Sequence, residues 1–235
     1  MRGTLLLLIW AWSTVVLCAP HEHKAPVVLA PGYAPLSFTP PEPGSYALPA
    51  MGSAADGAVI DSDGNSAKLH DFLGGKPTVL SFIFTTCDDV NGCPLATYVM
   101  RSVQDALQAD PSTVNKARLV SFSFDPVFDT PDVIDAYGSQ FRAGDFDWQF
   151  LTTEGATTLD PILSAYGQWV IRDYDENGEY KGTMSHILRV FLIDESRQIR
   201  NIYSTSFLHA DTVANDVRSL LKEAAAQPLA DTASS

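Results

Sequence analysis

The sequence predicts an α/β protein whose central mixed sheet is flanked by helices on both faces. Two apolar runs, residues 78–84 and 118–124, are rich in the branched and aromatic side chains typical of buried strands. Between them, residues 95–107 place apolar side chains at the spacing of an amphipathic helix. Near the C-terminus, apolar segments at 187–193 and 199–203 are joined by a polar turn and precede a final helix.

The order of strand, helix, strand, helix, hairpin and helix is that of a thioredoxin-like core. The remaining elements follow from turn residues, helix caps and shorter apolar patterns. We predict short strands at 46–48, 58–60 and 148–151, an Asp-rich turn at 61–65, a helical turn at 69–73, helices beginning at Pro131 and covering 157–165, an extended segment at 166–171 and a polar loop at 173–178.

The 235 residues suffice for one domain with a substantial core and short appendages. Residues 1–19 are predicted to be a secretory signal or an N-terminal anchor, because a basic residue precedes an apolar run too short for a comfortable membrane span. Repeated prolines make residues 20–43 an extended or disordered linker. Residues 44–226 form the predicted domain, and residues 227–235 form a polar tail.

Charge and targeting restrict the partners of the chain. The formal net charge of −13 and the pI of about 4.6 argue against a nucleic-acid partner. The signal predicts export to the periplasm, or tethering that faces it, with membrane contact through the N-terminal segment if that segment is retained. Cys18 raises a lipoprotein alternative, although Leu17 stands where a small residue is expected. His21 and His23 are predicted to be solvated linker residues.

Cys87 and Cys93 lie on the predicted turn between the strand at 78–84 and the helix at 95–107. Pro94 suits the first position of that helix, so Cys93 would lie at its N-terminus, where the backbone dipole favours a thiolate. Two such thiols can exchange disulfides, bind a soft metal or simply close the loop. Their Cys-x5-Cys spacing differs from the Cys-x2-Cys of thioredoxin-like redox sites, although closing the longer loop costs only about 0.5 kcal/mol more.

Cu(I) favours thiolate ligands, and two sulfurs leave room for a third ligand, which His186 could supply from just before the strand at 187–193. His70 and His209 have no such companions and are predicted to be surface residues. Asp125 and Asp129 fit a turn and a helix cap, with hydrogen-bonded support of the metal ligands as the alternative.

Four motifs, in order along the chain, resemble the Sco/SenC family. They are FIFTTC at 82–87, Cys93-Pro94, SFSFDPVFDTP at 121–131, and His186 ahead of VFLID at 190–194. The resemblance covers roughly residues 44–225. It implies a thioredoxin-like, exported and often membrane-tethered domain that binds copper, as Cu(I) or alternatively Cu(II), through Cys87, Cys93 and His186.

The resemblance also implies a role and partners. The role is that of a metallochaperone, not an enzyme in the strict sense, which delivers copper to the copper-site subunit of a cytochrome oxidase or similar cuproprotein, or prepares its thiols. A thiol reductant protein is a further implied partner. The alternatives are an exported thiol-disulfide oxidoreductase with Cys87 and Cys93 as its redox-active pair, and a non-catalytic thioredoxin-like binding domain with a structural disulfide.

The chain departs from the family pattern at two points. The usual Cys-x3-Cys-Pro is here Cys-x5-Cys-Pro, and Ser185 stands where an aspartate usually precedes the histidine. Asp88 and Asp89 directly follow Cys87, and their charges should oppose a thiolate. We therefore expect the pKa of Cys87 to lie at or above the free value of about 8.5, which favours copper binding over disulfide exchange.

Overall fold

A computed structural model describes residues 27–226. The predicted signal or anchor at 1–19, the first part of the linker and the tail at 227–235 lie outside the described residues. The helices are α1 (Leu69–Phe72), α2 (Cys93–Gln108), α3 (Pro131–Gly138), α4 (Ala156–Ala165) and α5 (Ala210–Ala226), with one 3-10 turn at Pro31–Tyr33. The strands are β1 (Gly52–Ser53), β2 (Ala58–Asp61), β3 (Ser66–Lys68), β4 (Thr78–Ile83), β5 (Arg118–Ser123), β6 (Trp148–Thr152), β7 (Val170–Tyr174), β8 (Tyr180–His186), β9 (Arg189–Ile193) and β10 (Gln198–Ser204).

Eight strands form one mixed sheet in the order β1-β10-β9-β4-β5-β6-β2-β3. Strands β4, β5 and β6 are parallel, whereas β9 pairs antiparallel with β4, and β10 antiparallel with β9. All six residues of β4 are buried, because this strand lies in the middle of the sheet. The predicted α/β class with a thioredoxin-like core is confirmed.

Helices cover both faces of this sheet. On one face, the ring of Tyr137 in α3 lies 6.1 Å from that of Phe150 in β6, and its hydroxyl is 2.8 Å from that of Thr97 in α2. On the opposite face, Tyr166 directly after α4 packs against Phe82 and Phe191, with ring centroids 5.3 and 5.2 Å apart. Within residues 27–226, no helix is both long and apolar enough to cross a membrane.

Residues 27–43, the described part of the Pro-rich stretch, form no strand and lie against the folded domain. His209 Nε2 donates to Ala34 O over 2.8 Å, Asn215 Nδ2 to Pro41 O over 2.9 Å, and Lys222 Nζ to Pro43 O over 2.9 Å. Prolines lack the N–H that a strand ladder needs, so this segment pairs with no strand, and its carbonyls accept side-chain donors from α5 and the turn before it. The domain boundary at residue 44 stays a prediction.

Three predicted segments differ from the structure. Residues 46–48 do not form a strand, because the carbonyl of Leu48 accepts a hydrogen bond from Arg200 Nε over 2.6 Å rather than pairing with a neighbouring strand. The extended segment at 166–171 and the loop at 173–178 are replaced by the β7–β8 hairpin, which turns at 175–178 and lies outside the main sheet. Asn177-Gly178 in this turn was the available signal for a hairpin.

Candidate metal centre

The loop between β4 and α2 carries both thiols. It leaves the buried end of β4 at Phe84, whose carbonyl accepts the Cys87 N–H over 3.3 Å. Cys87 is half-buried on the loop, whereas Cys93 is the first residue of α2 and is 1 % exposed. Pro94 is thus the second residue of α2, whereas we predicted it to be the first. One thiol is held by a helix and the other by a loop.

His186 reaches the thiols from the hairpin. It is the last residue of β8, and β9 begins at Arg189 rather than at the predicted Ile187, which is exposed. Because β9 runs antiparallel to β4, the start of β9 lies at the same sheet edge as the end of β4. The imidazole packs against a pair of contacting rings, at centroid distances of 4.9 Å from Phe124 and 6.0 Å from Phe84.

The ligand atoms of Cys87, Cys93 and His186 all lie within 4.8 Å of one another, and Cys93 Sγ is 3.5 Å from His186 Nε2. Bonds of about 2.3 Å to sulfur and about 2.0 Å to nitrogen around one tetrahedral ion would place such atoms about 3.5 Å apart. Two sulfurs and one imidazole are also the ligand types that Cu(I) prefers. The donor set and its spacing therefore fit a single soft metal ion.

The two thiols have opposite acidities. The pKa of Cys87 is lowered to about 5, because its sulfur accepts hydrogen bonds from the Cys93 thiol, from His186 and from backbone N–H groups, against the opposing effect of burial. Burial raises the pKa of Cys93 well above its usual value, and the negative charge on Cys87 adds to that effect. Cys87 therefore carries the thiolate and Cys93 keeps the proton that it donates.

Our expectation of a high Cys87 pKa is therefore wrong. Asp88 and Asp89 are both exposed, and the Asp89 carboxylate accepts the Asn91 N–H over 3.0 Å. The backbone N–H groups of Asp89 and Cys93 lower the pKa of Cys87 instead. The N-terminus of α2 thus stabilises the thiolate of the preceding cysteine rather than that of its own first residue.

Asp129 supports the beginning of the loop that carries both thiols. It is fully buried and accepts hydrogen bonds from the Thr85 N–H over 3.1 Å, from the Thr85 hydroxyl and from the Ser123 hydroxyl. Burial nevertheless raises the pKa of this carboxyl. Asp129 does not cap α3, whose N-cap is Thr130, so the predicted capping role is replaced by an anchor two residues before Cys87.

Asp125 ties the hairpin to the rest of the domain. Its carboxylate binds Arg172 Nη2 of β7 over 3.2 Å and is 5 % exposed. Its carbonyl accepts the N–H groups of Phe128 and Asp129, which is the turn that the sequence predicts. Neither aspartate belongs to the cluster of three ligand atoms.

The other histidines lie elsewhere. The prediction that His209 is a surface residue is wrong: it is 8 % exposed, because the segment around Ala34 covers it, and its Nδ1 accepts the Asp211 N–H over 3.1 Å. His70 is half-buried, with Nε2 3.0 Å from Ala54 O. Cys18, His21 and His23 lie outside the described residues.

An apolar cavity of about 330 Å³ opens beside the two thiols. Phe84, Tyr98, Tyr137 and Phe141 line it, together with Thr97 and Arg101. Burial raises the pKa of Tyr137 to about 12, so its hydroxyl stays protonated beside Thr97. Tyr137 and Phe141 are four positions apart, which is the spacing of one helix face, and such periodicity carries no signal that would place them at the thiols.

The fold and the site together define a thioredoxin-like domain with a dithiol–imidazole cluster at one edge of its sheet. The sequence profile of the SCO1/SenC family matches residues 55–222, which is well over half of the chain. The chain therefore belongs to the SCO1/SenC family. A curated relative, the SCO1 protein homolog of Bacillus subtilis (strain 168), is 33 % identical over 92 residues, which cover 39 % of this chain and 45 % of the relative. The matched region thus spans less than half the length of that relative.

Solved structures share the fold. Arabidopsis thaliana ScoI with copper bound has a TM-score of 0.61 at 20 % identity, covering 74 % of this chain and 99 % of that one. A SCO1/SenC family lipoprotein from Bacillus anthracis str. Ames has 0.61 at 24 %, covering 74 % and 99 %. BsSco, described as a Sco-family cytochrome c oxidase assembly protein with a disulfide switch, has 0.57 at 21 %, covering 74 % and 96 %.

Proposed function

We propose that this protein binds one copper ion through Cys87, Cys93 and His186. The observation that carries the proposal is the cluster of two sulfurs and one imidazole within 4.8 Å. The copper-bound ScoI of Arabidopsis thaliana, which has the same fold, supports copper as the metal. Thiolates are the soft ligands that favour Cu(I), and the proton kept by Cys93 would be released when the metal binds.

The biological role that we propose is that of a metallochaperone. The half-buried Cys87 and His186 lie beside the fully buried Cys93, so incoming ligands of a partner can approach the site from one side. The client would be the copper-site subunit of a cytochrome oxidase or a similar cuproprotein, as for BsSco, a relative in fold named for oxidase assembly. An exported domain, tethered through its N-terminal segment or released, would meet such a client outside the cytoplasm.

The acidity of Cys87 favours a second candidate function, that of a thiol-disulfide oxidoreductase. A thiol with a pKa of about 5 is ionised at neutral pH, and Cys93 lies beside it. The Cys87 thiolate would attack a partner disulfide to form a mixed disulfide and release one partner thiolate. Cys93 would then attack Cys87 Sγ, its proton passing to the second partner sulfur, which leaves a Cys87–Cys93 disulfide and a reduced partner.

Metal content separates the two functions. The reduced protein, expressed with copper, should retain one copper per chain, and His186→Ala should retain less after dialysis against a competing chelator. Insulin reduction is measured on the same samples. A wild-type protein that takes up no copper but reduces insulin rapidly would reverse the order of the two proposals.

A further inference from the structure

Residues 28–33, which precede the predicted domain, lie across the loop that carries both thiols. Asn91, inside the Cys-x5-Cys loop, hydrogen-bonds to this segment through both the oxygen and the nitrogen of its side-chain amide. Its Nδ2 donates to Val28 O over 2.8 Å, and its Oδ1 accepts the Ala30 N–H over 2.7 Å. The Tyr33 hydroxyl donates to Val90 O, the carbonyl beside it. We call residues 28–33 the strap.

The strap is fixed to the domain independently of the loop. Gly32 lies so close to the turn before α5 and to the start of α2 that an added Cβ would be 2.3 Å from Leu208 O and 3.1 Å from Leu95 Cδ1. Ala30 is 7 % exposed, and the Tyr33 ring lies 5.0 Å from that of Tyr98 in α2. Leu208 and Leu95, the two residues that Gly32 approaches, are both buried. This close packing of the strap backbone gives the loop a rigid surface to bind.

The loop needs such support because its two thiols are held differently. Cys93 belongs to α2, whereas Cys87 lies six residues earlier on the loop, so the position of Cys87 depends on the intervening turn. That turn is closed by the Gly92 N–H donating to Asp89 O over 2.8 Å, which directs the Asn91 side chain to the strap. Val90 and Asn91, the residues that contact the strap, lie inside the Cys-x5-Cys loop, which is two residues longer than the family's usual Cys-x3-Cys.

We propose that Asn91 is a positioning residue, which binds the strap and thereby holds Cys87 against Cys93 and His186. The lengthened loop is then ordered by the strap in addition to its own turn, which the Gly92 N–H closes on Asp89 O. The expected effect of Asn91 on copper affinity rests on the proposed function, whereas its expected effect on the order of the loop does not. Removing the Asn91 side chain leaves the Val28 carbonyl and the Ala30 N–H without this partner and frees the turn. The loss of these hydrogen bonds should weaken Cu(I) binding about tenfold.

The test compares the full chain with Asn91→Ala and with Tyr33→Phe, which keeps the ring and removes one hydrogen bond. The matched control is Asn65→Ala. The Asn65 side chain likewise makes a hydrogen bond from an exposed turn, with Nδ2 donating to Asp61 Oδ2 over 3.1 Å, but it does not touch the strap. Cu(I) affinity is measured by chelator competition. Amide hydrogen exchange of residues 88–92 is measured on the reduced, metal-free protein.

We expect Asn91→Ala and Tyr33→Phe to speed exchange in the loop and weaken Cu(I) binding, with Asn65→Ala like the wild type. Unchanged loop exchange in both strap variants would overturn the inference, whatever the copper result. A wild-type protein that binds no copper would overturn the proposed function alone, because exchange in the metal-free loop still reports on positioning. If Asn65→Ala weakens Cu(I) binding as much as the two strap variants do, that result would also count against a role for the strap.

Discussion

Cys93 Sγ lies 3.5 Å from His186 Nε2, although 93 positions separate the two residues in the chain. The contact exists because β9 returns antiparallel beside β4, and the β7–β8 hairpin presents its last residue at the loop where the thiols lie. The same three side chains thus form a dithiol with one acidic member and a donor set for a soft metal.

The first prediction concerns the ligands. Replacing Cys87 or Cys93 by Ser should abolish tight Cu(I) binding, because a hydroxyl is a poor ligand for a soft ion. His186→Ala should leave a weaker two-sulfur site, with a loss at least as large as the roughly 10–100-fold typical of residues that only support ligands. Chelator competition measures the affinities, and His70→Ala, outside the cluster, is the control. Stoichiometric tight binding by a double Cys87/Cys93 variant would falsify the assignment.

The second prediction concerns thiol acidity. Alkylation of Cys87 by iodoacetamide in the reduced, metal-free protein should titrate with a pKa of about 5, so its rate should be nearly constant from pH 6 to 8. Cys93 should stay unreactive in this range, because burial favours its protonated form. Cys93→Ala should raise the pKa of Cys87 by removing a hydrogen-bond donor, more than Cys93→Ser, which keeps a hydroxyl. A Cys87 rate that rises throughout this range toward a pKa of 8 or above contradicts the assignment.

The third prediction concerns redox gating. A Cys87–Cys93 disulfide would bring the sulfurs to about 2.05 Å and remove both thiolates, so the oxidised protein should not bind Cu(I). Mass spectrometry checks for the disulfide, and metal analysis is done before and after reduction. His186→Ala serves as the matched control, because it keeps both cysteines. It should form the disulfide and, like the wild type, bind no Cu(I) when oxidised. Copper uptake by fully oxidised protein would show that the thiolates are not required.

The fourth prediction concerns Asp129. Asp129→Asn should destabilise the fold by about 1–3 kcal/mol, because a single amide oxygen cannot accept from Thr85 and Ser123 as the carboxyl does. The folded pKa of Asp129 is raised above its value of 3.8, so its contribution to stability is present below pH 4 and declines as pH rises through the folded pKa. The cost of the substitution should therefore be largest near pH 4 and shrink toward neutrality.

Urea unfolding at several pH values measures this dependence. The control is Asp105→Asn, which removes an exposed pair with Arg101 on α2 and should cost no more than about 0.5 kcal/mol. A cost for Asp129→Asn that grows steadily from pH 4 to pH 7 would show that the ionised carboxylate is the stabilising form, contrary to the direction of its pKa shift.

The sequence alone determined the α/β class and the pair of thiols between a strand and a helix. Apolar periodicity and the Pro-containing helix start are local properties, so β4, α2, β5 and β9 could be predicted within a few residues. His186 could be suggested as a third ligand from the ligand preference of Cu(I) and from the resemblance to a known family, but its distance from the thiols could not be predicted.

The tertiary structure decided the chemistry of the site. The pKa of Cys87 depends on which donors surround its sulfur, and adjacent charges in the chain predicted the wrong direction because Asp88 and Asp89 are exposed to solvent. The anchor from Asp129 to Thr85 and the strap contacts of Asn91 join residues 44 to 63 positions apart. Such contacts follow from how sheet, hairpin and N-terminal segment pack together, and no local pattern in the sequence encodes them.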